Sequence, residues 1–141
     1  KRPIIFYALK EYLMQEHNFK YYPELEADDC VSICGGEYSN VILCSPDKDV
    51  LYQNFGTHYN YQTRNFITVN KEEAEKFFWK QMLMGDSTDG IPGIPKIGPK
   101  TAEIFLNEVS AEDYSSLVLK KYIEKFGMSL GISKFAETFI F

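Results

Sequence analysis

Residues 85–102 read GDSTDGIPGIPKIGPKTA. The stretch joins two runs with helical apolar spacing, KEEAEKFFWKQMLM before it and TAEIFLNEV after it, and holds four glycines, three prolines and two aspartates. Ile91, Ile94 and Ile97 recur every third residue among Gly and Pro. Their side chains can tuck between the helices, while Gly93 and Gly98 let the backbone turn tightly and approach a ligand closely. Pro99 suits the first turn of the following helix, whose N–H groups make an anion site. Lys96 and Lys100 add positive charge beside it. A phosphate gripped by backbone and charge is held without regard to base sequence. The plain alternative is a rigid turn with solvated lysines. No Gly-Lys-Ser/Thr follows a strand, and the glycines do not form Gly-x-Gly-x-x-Gly, so neither a Walker loop nor a dinucleotide loop is present.

Upstream, Val41–Cys44 is apolar without alternation, which predicts a strand covered on both faces in a parallel α/β sheet. SPDKDVLYQ (45–53) reads as a turn opening a short helix, and Thr57–Val69 as a β-hairpin. Asn70 with Glu73 predicts a capping box for the helix that runs into the glycine and proline stretch. Nearer the N-terminus, Ile5, Leu9, Tyr12, Leu13 and Glu16 predict a helix with a core-facing stripe. FKYYPEL (19–25) reads as a strand stopping near Pro23. Residues 26–34 read as a helix through Ala27, Cys30, Val31 and Cys34, ended by Gly35 and Gly36. Downstream, a helix over 110–127 starts at Ser110 and Asp113 and ends at Gly127; beyond Met128 the pattern gives no assignment. Strands and helices alternate first and helices take over after about residue 70, an α/β layer with a helical extension.

The 141 residues are 45% hydrophobic and 16% aromatic, enough to fill the core of one compact globule. No apolar run reaches the roughly 18 residues of a membrane span and no signal peptide is recognisable, so a cytoplasmic, membrane-free protein is expected. The three cysteines lie in apolar surroundings without Cys-x-x-Cys pairing and read as buried thiols. A net charge of −5 argues against indiscriminate nucleic-acid binding, although acids can gather around metal ions while lysines gather elsewhere. The chain opens in a helical pattern with no initiator Met or cap, which reads as the continuation of a longer protein.

Three acidic clusters stand where predicted elements meet loops: Glu26, Asp28 and Asp29 in LEADD, Asp47 and Asp49 in SPDKD, and Asp86 and Asp89 in GDSTD. Hard cations such as Mg²⁺ take oxygen ligands, and in pairs roughly 4 Å apart they stabilise both the attacking and the leaving oxygen of a phosphodiester displacement. Taken singly, each cluster has a plainer role: acids at a helix N-terminus, an N-cap at Asp47, a turn at Asp86. An apolar strand followed by Asp-x-Asp is also similar to the phosphotransferase loop of haloacid-dehalogenase-like enzymes, but Ser45 and Pro46 intervene here.

In order and spacing these residues resemble the 5′-nuclease superfamily: flap endonucleases, phage 5′→3′ exonucleases and the 5′ nuclease domain of bacterial DNA polymerase I. LEADD resembles its Glu-Ala-Asp-Asp motif, SPDKDVLYQ its Ser-x-Asp-x-Asp strand end, and GDSTDGIPGIPKIGPKTA its helix-three-turn-helix, a helix-hairpin-helix relative. The resemblance implies a parallel PIN-like, Rossmann-like core that lacks its N-terminal part. Residues 1–70 would belong to that core and 71–141 to the helix-three-turn-helix region. It implies a two-metal site taking Mg²⁺, with Mn²⁺ as a substitute. Asp28 and Asp47, with Glu26 and Asp29, would hold the first ion, and Asp49, Asp86 and Asp89 would hold or organise the second; Asp28, Asp47, Asp49 and Asp86 are the catalytic set. Gly90, Gly93, Ile94, Lys96, Ile97, Gly98, Lys100 and Thr101 would grip duplex DNA, and carbonyls around Ile91, Ile94 and Ile97 a monovalent cation such as K⁺. The implied substrate is DNA with a 5′ end or flap, cut by a monomer with a DNA polymerase as partner, whether fused to it or separate. The family's earlier aspartates and basic arch have no counterpart in KRPIIFYALKEYLM, so weak metal binding and poor cutting are expected of this chain alone. Lys120, Lys121 and Lys125 read as a solvated face, with an extended DNA contact as the alternative. The competing readings are a non-catalytic DNA-docking relative and a PIN-type ribonuclease, which ordinarily lacks the glycine and proline loop.

Overall fold

A computed structural model describes residues 3–37 and 40–140. The chain divides into two compact units, Lys1–Asn40 and Val41–Phe141.

The first unit holds helices α1 (Ile5–Glu16) and α2 (Ala27–Glu37). The helical spacing of residues 5–16 is realised, but the expected core-facing stripe is not: no residue of α1 is buried, and Ile5, Leu9 and Tyr12 are more than half exposed. A stripe needs an apolar surface opposite, and no strand forms among the described residues of this unit to supply one. The strand expected over 19–25 is a loop, closed by a turn in which Leu25 N donates to the Tyr22 carbonyl at 3.4 Å. Pro23 withholds one ladder donor there. Helix α2 runs through Gly35 and Gly36 instead of ending at them, since glycine accommodates right-handed helix as well as the left-handed cap. Cys30 and Cys34 are half-buried, and Cys44 in the second unit is exposed, so the expected buried thiols are not found.

The second unit opens with a three-stranded sheet: β1 (Ile42–Cys44), β2 (Gly56–Asn60) and β3 (Asn65–Val69), in that order. β1 pairs parallel with β2, reached through helix α3 (Lys48–Gln53), and β2 pairs antiparallel with β3 as the expected hairpin, Gly56 opposite Val69. Asn60 Oδ1 accepts from the N–H groups of Gln62 and Thr63, shaping the hairpin turn. β1 is not covered on both faces: Leu43 is buried while Ile42 and Cys44 are exposed. Buried His58 donates from Nε2 to the Asn54 carbonyl at 2.6 Å, tying β2 to the end of α3.

Helix α4 (Lys71–Met84) begins as its sequence predicts, with Asn70 Oδ1 accepting from Glu73 N and Glu73 Oε2 accepting from Asn70 N. It ends at β4 (Gly85–Asp86), which pairs antiparallel with β5 (Ile91–Pro92). Helix α5 (Pro99–Asn107) starts with Pro99 at its first position, and α6 (Tyr114–Phe126) follows a 3₁₀ turn, Ala111–Asp113. Gly127 ends α6 with φ 83°, and α7 (Met128–Ile140) follows at once. The main core lies among these helices, around Trp79, Met82, Leu83, Ile94, Ala102, Leu106, Val118 and Tyr122. Tyr122 Oη donates to the Met82 carbonyl at 2.8 Å, so the buried phenol fastens α6 to the last turn of α4. No helix among the described residues is long and apolar enough to cross a membrane.

Candidate functional site

The carboxylates that converge in the second unit come from the start of α3 and the end of α4. Asp47 is the N-cap of α3: its Oδ1 accepts from Asp49 N at 2.9 Å, while Ser45 Oγ accepts from Asp47 N at 3.0 Å. That orientation satisfies a helix-end donor and is the plain role foreseen for this residue. Asp49, in the first turn, turns toward α4, where Gln81 Nε2 donates to its Oδ1 at 2.7 Å. Gln53 Nε2 in turn donates to Gln81 Oε1 at 2.8 Å, so two amides in series hold the Asp49 carboxylate.

Asp86 stands directly after α4, on the short β4–β5 pair, and keeps only 8% of its surface. Its Oδ1 accepts from Thr88 N at 2.8 Å and its Oδ2 accepts from Lys48 Nζ. The Lys48 ammonium and the Thr88 N–H stabilise its ionised form and lower its pKa to about 2. The same carboxylate raises the pKa of Lys48. Lys48 Nζ also lies 3.4 Å from Asp49 Oδ1, so one ammonium bridges both acids.

Asp49, Asp86 and Asp89 each place a carboxylate oxygen within 4.8 Å of the others'. Opposed oxygen ligands on one hard cation stand about 4–5 Å apart, so this all-oxygen donor set fits such an ion. The ammonium of Lys48, already bridging two of the acids, marks the position as favourable to positive charge. Asp47 is not among the three. In the first unit, Asp29 Oδ2 accepts from Glu26 N at 3.1 Å, turning that acid back on the start of α2, and Asp28 Oδ1 accepts from Asp29 N at 3.0 Å. Sequence reading singled out the acids but missed Lys48 and Gln81. Lys48 was legible as the residue between two named aspartates; nothing in the sequence marks Gln81.

The glycine and proline stretch is only partly as expected. Ile94 enters the core, with Ile97 packed against it, and Ile94 N donates to the Leu83 carbonyl at 2.8 Å. The Ile94 carbonyl accepts from Ile97 N at 3.1 Å. Gly93 approaches backbone: a Cβ there would lie 2.1 Å from the Met84 carbonyl carbon. Gly98, the N-cap of α5, has ordinary extended backbone and open space around it, so the chain's direction does not require glycine there. The left-handed positions are Gly85, Gly90 and, unexpectedly, Lys96 at φ 74°. Lys96, Lys100 and Gly90 are exposed.

No protein-family model matches the chain. It is 35% identical over 101 residues to a 5′-3′ exonuclease of Buchnera aphidicola, an alignment spanning 62% of this chain and 35% of that protein. It is 33% identical over 132 residues to an exodeoxyribonuclease of Enterobacteria phage T3, spanning 85% of this chain and 42% of that one. The chain thus spans under half the length of these relatives. Its fold resembles that of the bacteriophage T5 flap endonuclease in a complex with DNA and metal ions, with TM-score 0.59 at 16% identity over 92% of this chain and 64% of that one. The acids of SPDKD and GDSTD thus come together in a chain whose similar proteins are named as 5′-3′ exonucleases and flap endonucleases, the names of the 5′-nuclease superfamily.

Proposed function

We propose that this chain is part of a divalent-metal-dependent 5′ nuclease that hydrolyses DNA phosphodiesters at or near 5′ ends or flaps. The observation that carries the reading is the convergence of Asp49, Asp86 and Asp89 from two separate motifs onto one small volume. Bound divalent ions would activate a water and offset charge gathering on the phosphodiester oxygens. Asp49, Asp86 and Asp89 hold one such ion, with Mg²⁺ the physiological choice and Mn²⁺ a substitute. Gln81 fixes the Asp49 carboxylate and the Thr88 N–H fixes that of Asp86.

Residues 90–101 are the helix-three-turn-helix, gripping duplex DNA through the N-terminus of α5 and through Lys96 and Lys100, with K⁺ on carbonyls around Ile91, Ile94 and Ile97. The exposure of both lysines supports this role. Residues 1–70 are then the C-terminal part of a PIN-like core and 71–141 the DNA-gripping region of a monomeric, cytoplasmic protein with a DNA polymerase as partner. Two relatives support the DNA, metal and polymerase parts of this reading: one structural neighbour was solved with DNA and metal ions, and another relative is a DNA polymerase I of Rhizobium leguminosarum.

The test is cleavage of a labelled 5′-flap DNA in Mg²⁺, in Mn²⁺ and in EDTA, with binding to the same DNA recorded in Ca²⁺. Weak metal-dependent cutting that disappears in Asp86→Asn while binding in Ca²⁺ persists is the expected result. Binding without cutting would place indispensable ligands in the rest of the protein, and loss of both would overturn the reading.

A further inference from the structure

Lys48 stands where a cation would. Its ammonium contacts Asp86 Oδ2 and lies 3.4 Å from Asp49 Oδ1, two of the three acids whose oxygens converge. It reaches them from the solvent side: the Lys48 side chain is half exposed, whereas that of Asp86 keeps 9%. Lys48 also sits in the first turn of α3, one residue before Asp49, so its flexible stem can swing outward without moving the helix. Three ionised carboxylates carry three negative charges, and the ammonium leaves two uncompensated. An entering divalent ion and the ammonium draw on the same two carboxylates.

We propose that Lys48 is a built-in competitor for the divalent cation, occupying its place in the metal-free protein and being displaced to solvent when the ion binds. The inference rests on the reading that Asp49, Asp86 and Asp89 take such an ion. In the metal-free state the ammonium relieves repulsion among the acids and tethers the 86–89 loop to α3. That stabilisation is surrendered on metal entry, so the site is tuned to weaker binding than its acids alone would give.

Mn²⁺ binding, measured by calorimetry and by the EPR signal of the free ion, tests this on the chain and on Lys48→Met. Removing one unit charge about 4 Å from the ion in a water-screened setting should tighten Mn²⁺ binding about fivefold to tenfold. Affinity that is unchanged or weaker in Lys48→Met overturns the competitor role and leaves the acidic site standing. Absence of Mn²⁺ binding in both proteins overturns the site reading together with the inference. A second readout needs no variant: acylation of Lys48 by an amine-reactive ester, followed by mass spectrometry. Labelling of Lys48 should rise severalfold on adding Ca²⁺ while that of exposed Lys120 stays constant, and equal labelling of Lys48 with and without Ca²⁺ would overturn the proposal.

Discussion

Gly93→Ala should destabilise the helical region severely, and Gly98→Ala should not, although the two glycines are five residues apart in one loop. A Cβ on Gly93 would lie 2.1 Å from the Met84 carbonyl carbon and 2.2 Å from Gly85 N, whereas ordinary contact begins at 3.4 Å. A gap of about 1.3 Å, the difference between 3.4 and 2.1 Å, has to open between two backbones, neither of which can rotate away. Opening it strains the Gly85–Pro92 pairing and the 2.8 Å bond from Ile94 N to the Leu83 carbonyl, and pulls Ile94 from a site where it keeps 3% of its surface. Overpacking of this kind costs about 1–3 kcal/mol and a lost hydrogen bond about 1 more, so a loss of roughly 3 kcal/mol is expected. Against a total of about 5–15 kcal/mol this is a large fraction, visible as a drop of about 10 °C in Tm. Urea unfolding followed by the fluorescence of Trp79, the single tryptophan, reads the effect from inside the core. Gly98 has φ −105°, and nothing lies within 4 Å of the place a methyl group would take, so Gly98→Ala should stay within about 0.5 kcal/mol or stabilise slightly. A Gly93→Ala protein within about 1 kcal/mol of the parent, or a Gly98→Ala protein equally damaged, would refute the argument.

The Lys48–Asp86 pair should make stability depend on acid. The Asp86 pKa is lowered from 3.8 to about 2, so its stabilisation is fully present above about pH 4 and is lost as the pH falls toward 2. With Lys48 half exposed the loss is on the order of 1–2 kcal/mol; urea midpoints near neutral pH and at about pH 2.5 should show it, and a parallel loss in Asp86→Asn would contradict the assignment. Lys96→Gly should have opposed effects: relief of left-handed strain of about 1 kcal/mol, partly offset by glycine's chain entropy, and weaker duplex binding with a salt slope reduced by about one. An unchanged salt slope would remove Lys96 from the DNA contact.

Where a few neighbouring residues decide the geometry, the sequence was sufficient. Asn70 with Glu73, Asp47 before α3, Pro99 at the start of α5 and Gly127 at the end of α6 each act within one helical turn, and each is found in its expected role. Where the outcome depends on what lies opposite, it was not. The apolar run of residues 41–44 cannot state how many faces will be covered, and the stripe of α1 cannot state whether a surface will meet it. Helix α7 carried a signal that periodicity alone left unassigned: Gly131, Phe135 and Thr138 fall on one face. A Cβ on Gly131 would lie 2.7 Å from Ile123 Cα, Phe135 stacks on Trp79, and the Thr138 hydroxyl lies in hydrogen-bond contact with Tyr122 Oη at 3.2 Å. Only the position of α6 makes that spacing meaningful.

The acids show the same division more sharply. Asp47 and Asp49 are two residues apart in SPDKD and indistinguishable by composition, yet α3 separates their tasks. The N-cap position commits Asp47 to the N–H of Asp49, while the first turn aims Asp49 at Gln81 on α4. That second aim exists only because α3 packs on α4, and the end of α4 then fixes where Asp86 must emerge. The glycine and proline stretch follows the same logic in reverse. Its glycines suggested turning at Gly93 and Gly98, but the close contact with the end of α4 claims Gly93 and an ordinary N-cap claims Gly98. Besides Gly85 and Gly90, left-handed backbone therefore falls to Lys96, a residue for which it is costly and which is exposed.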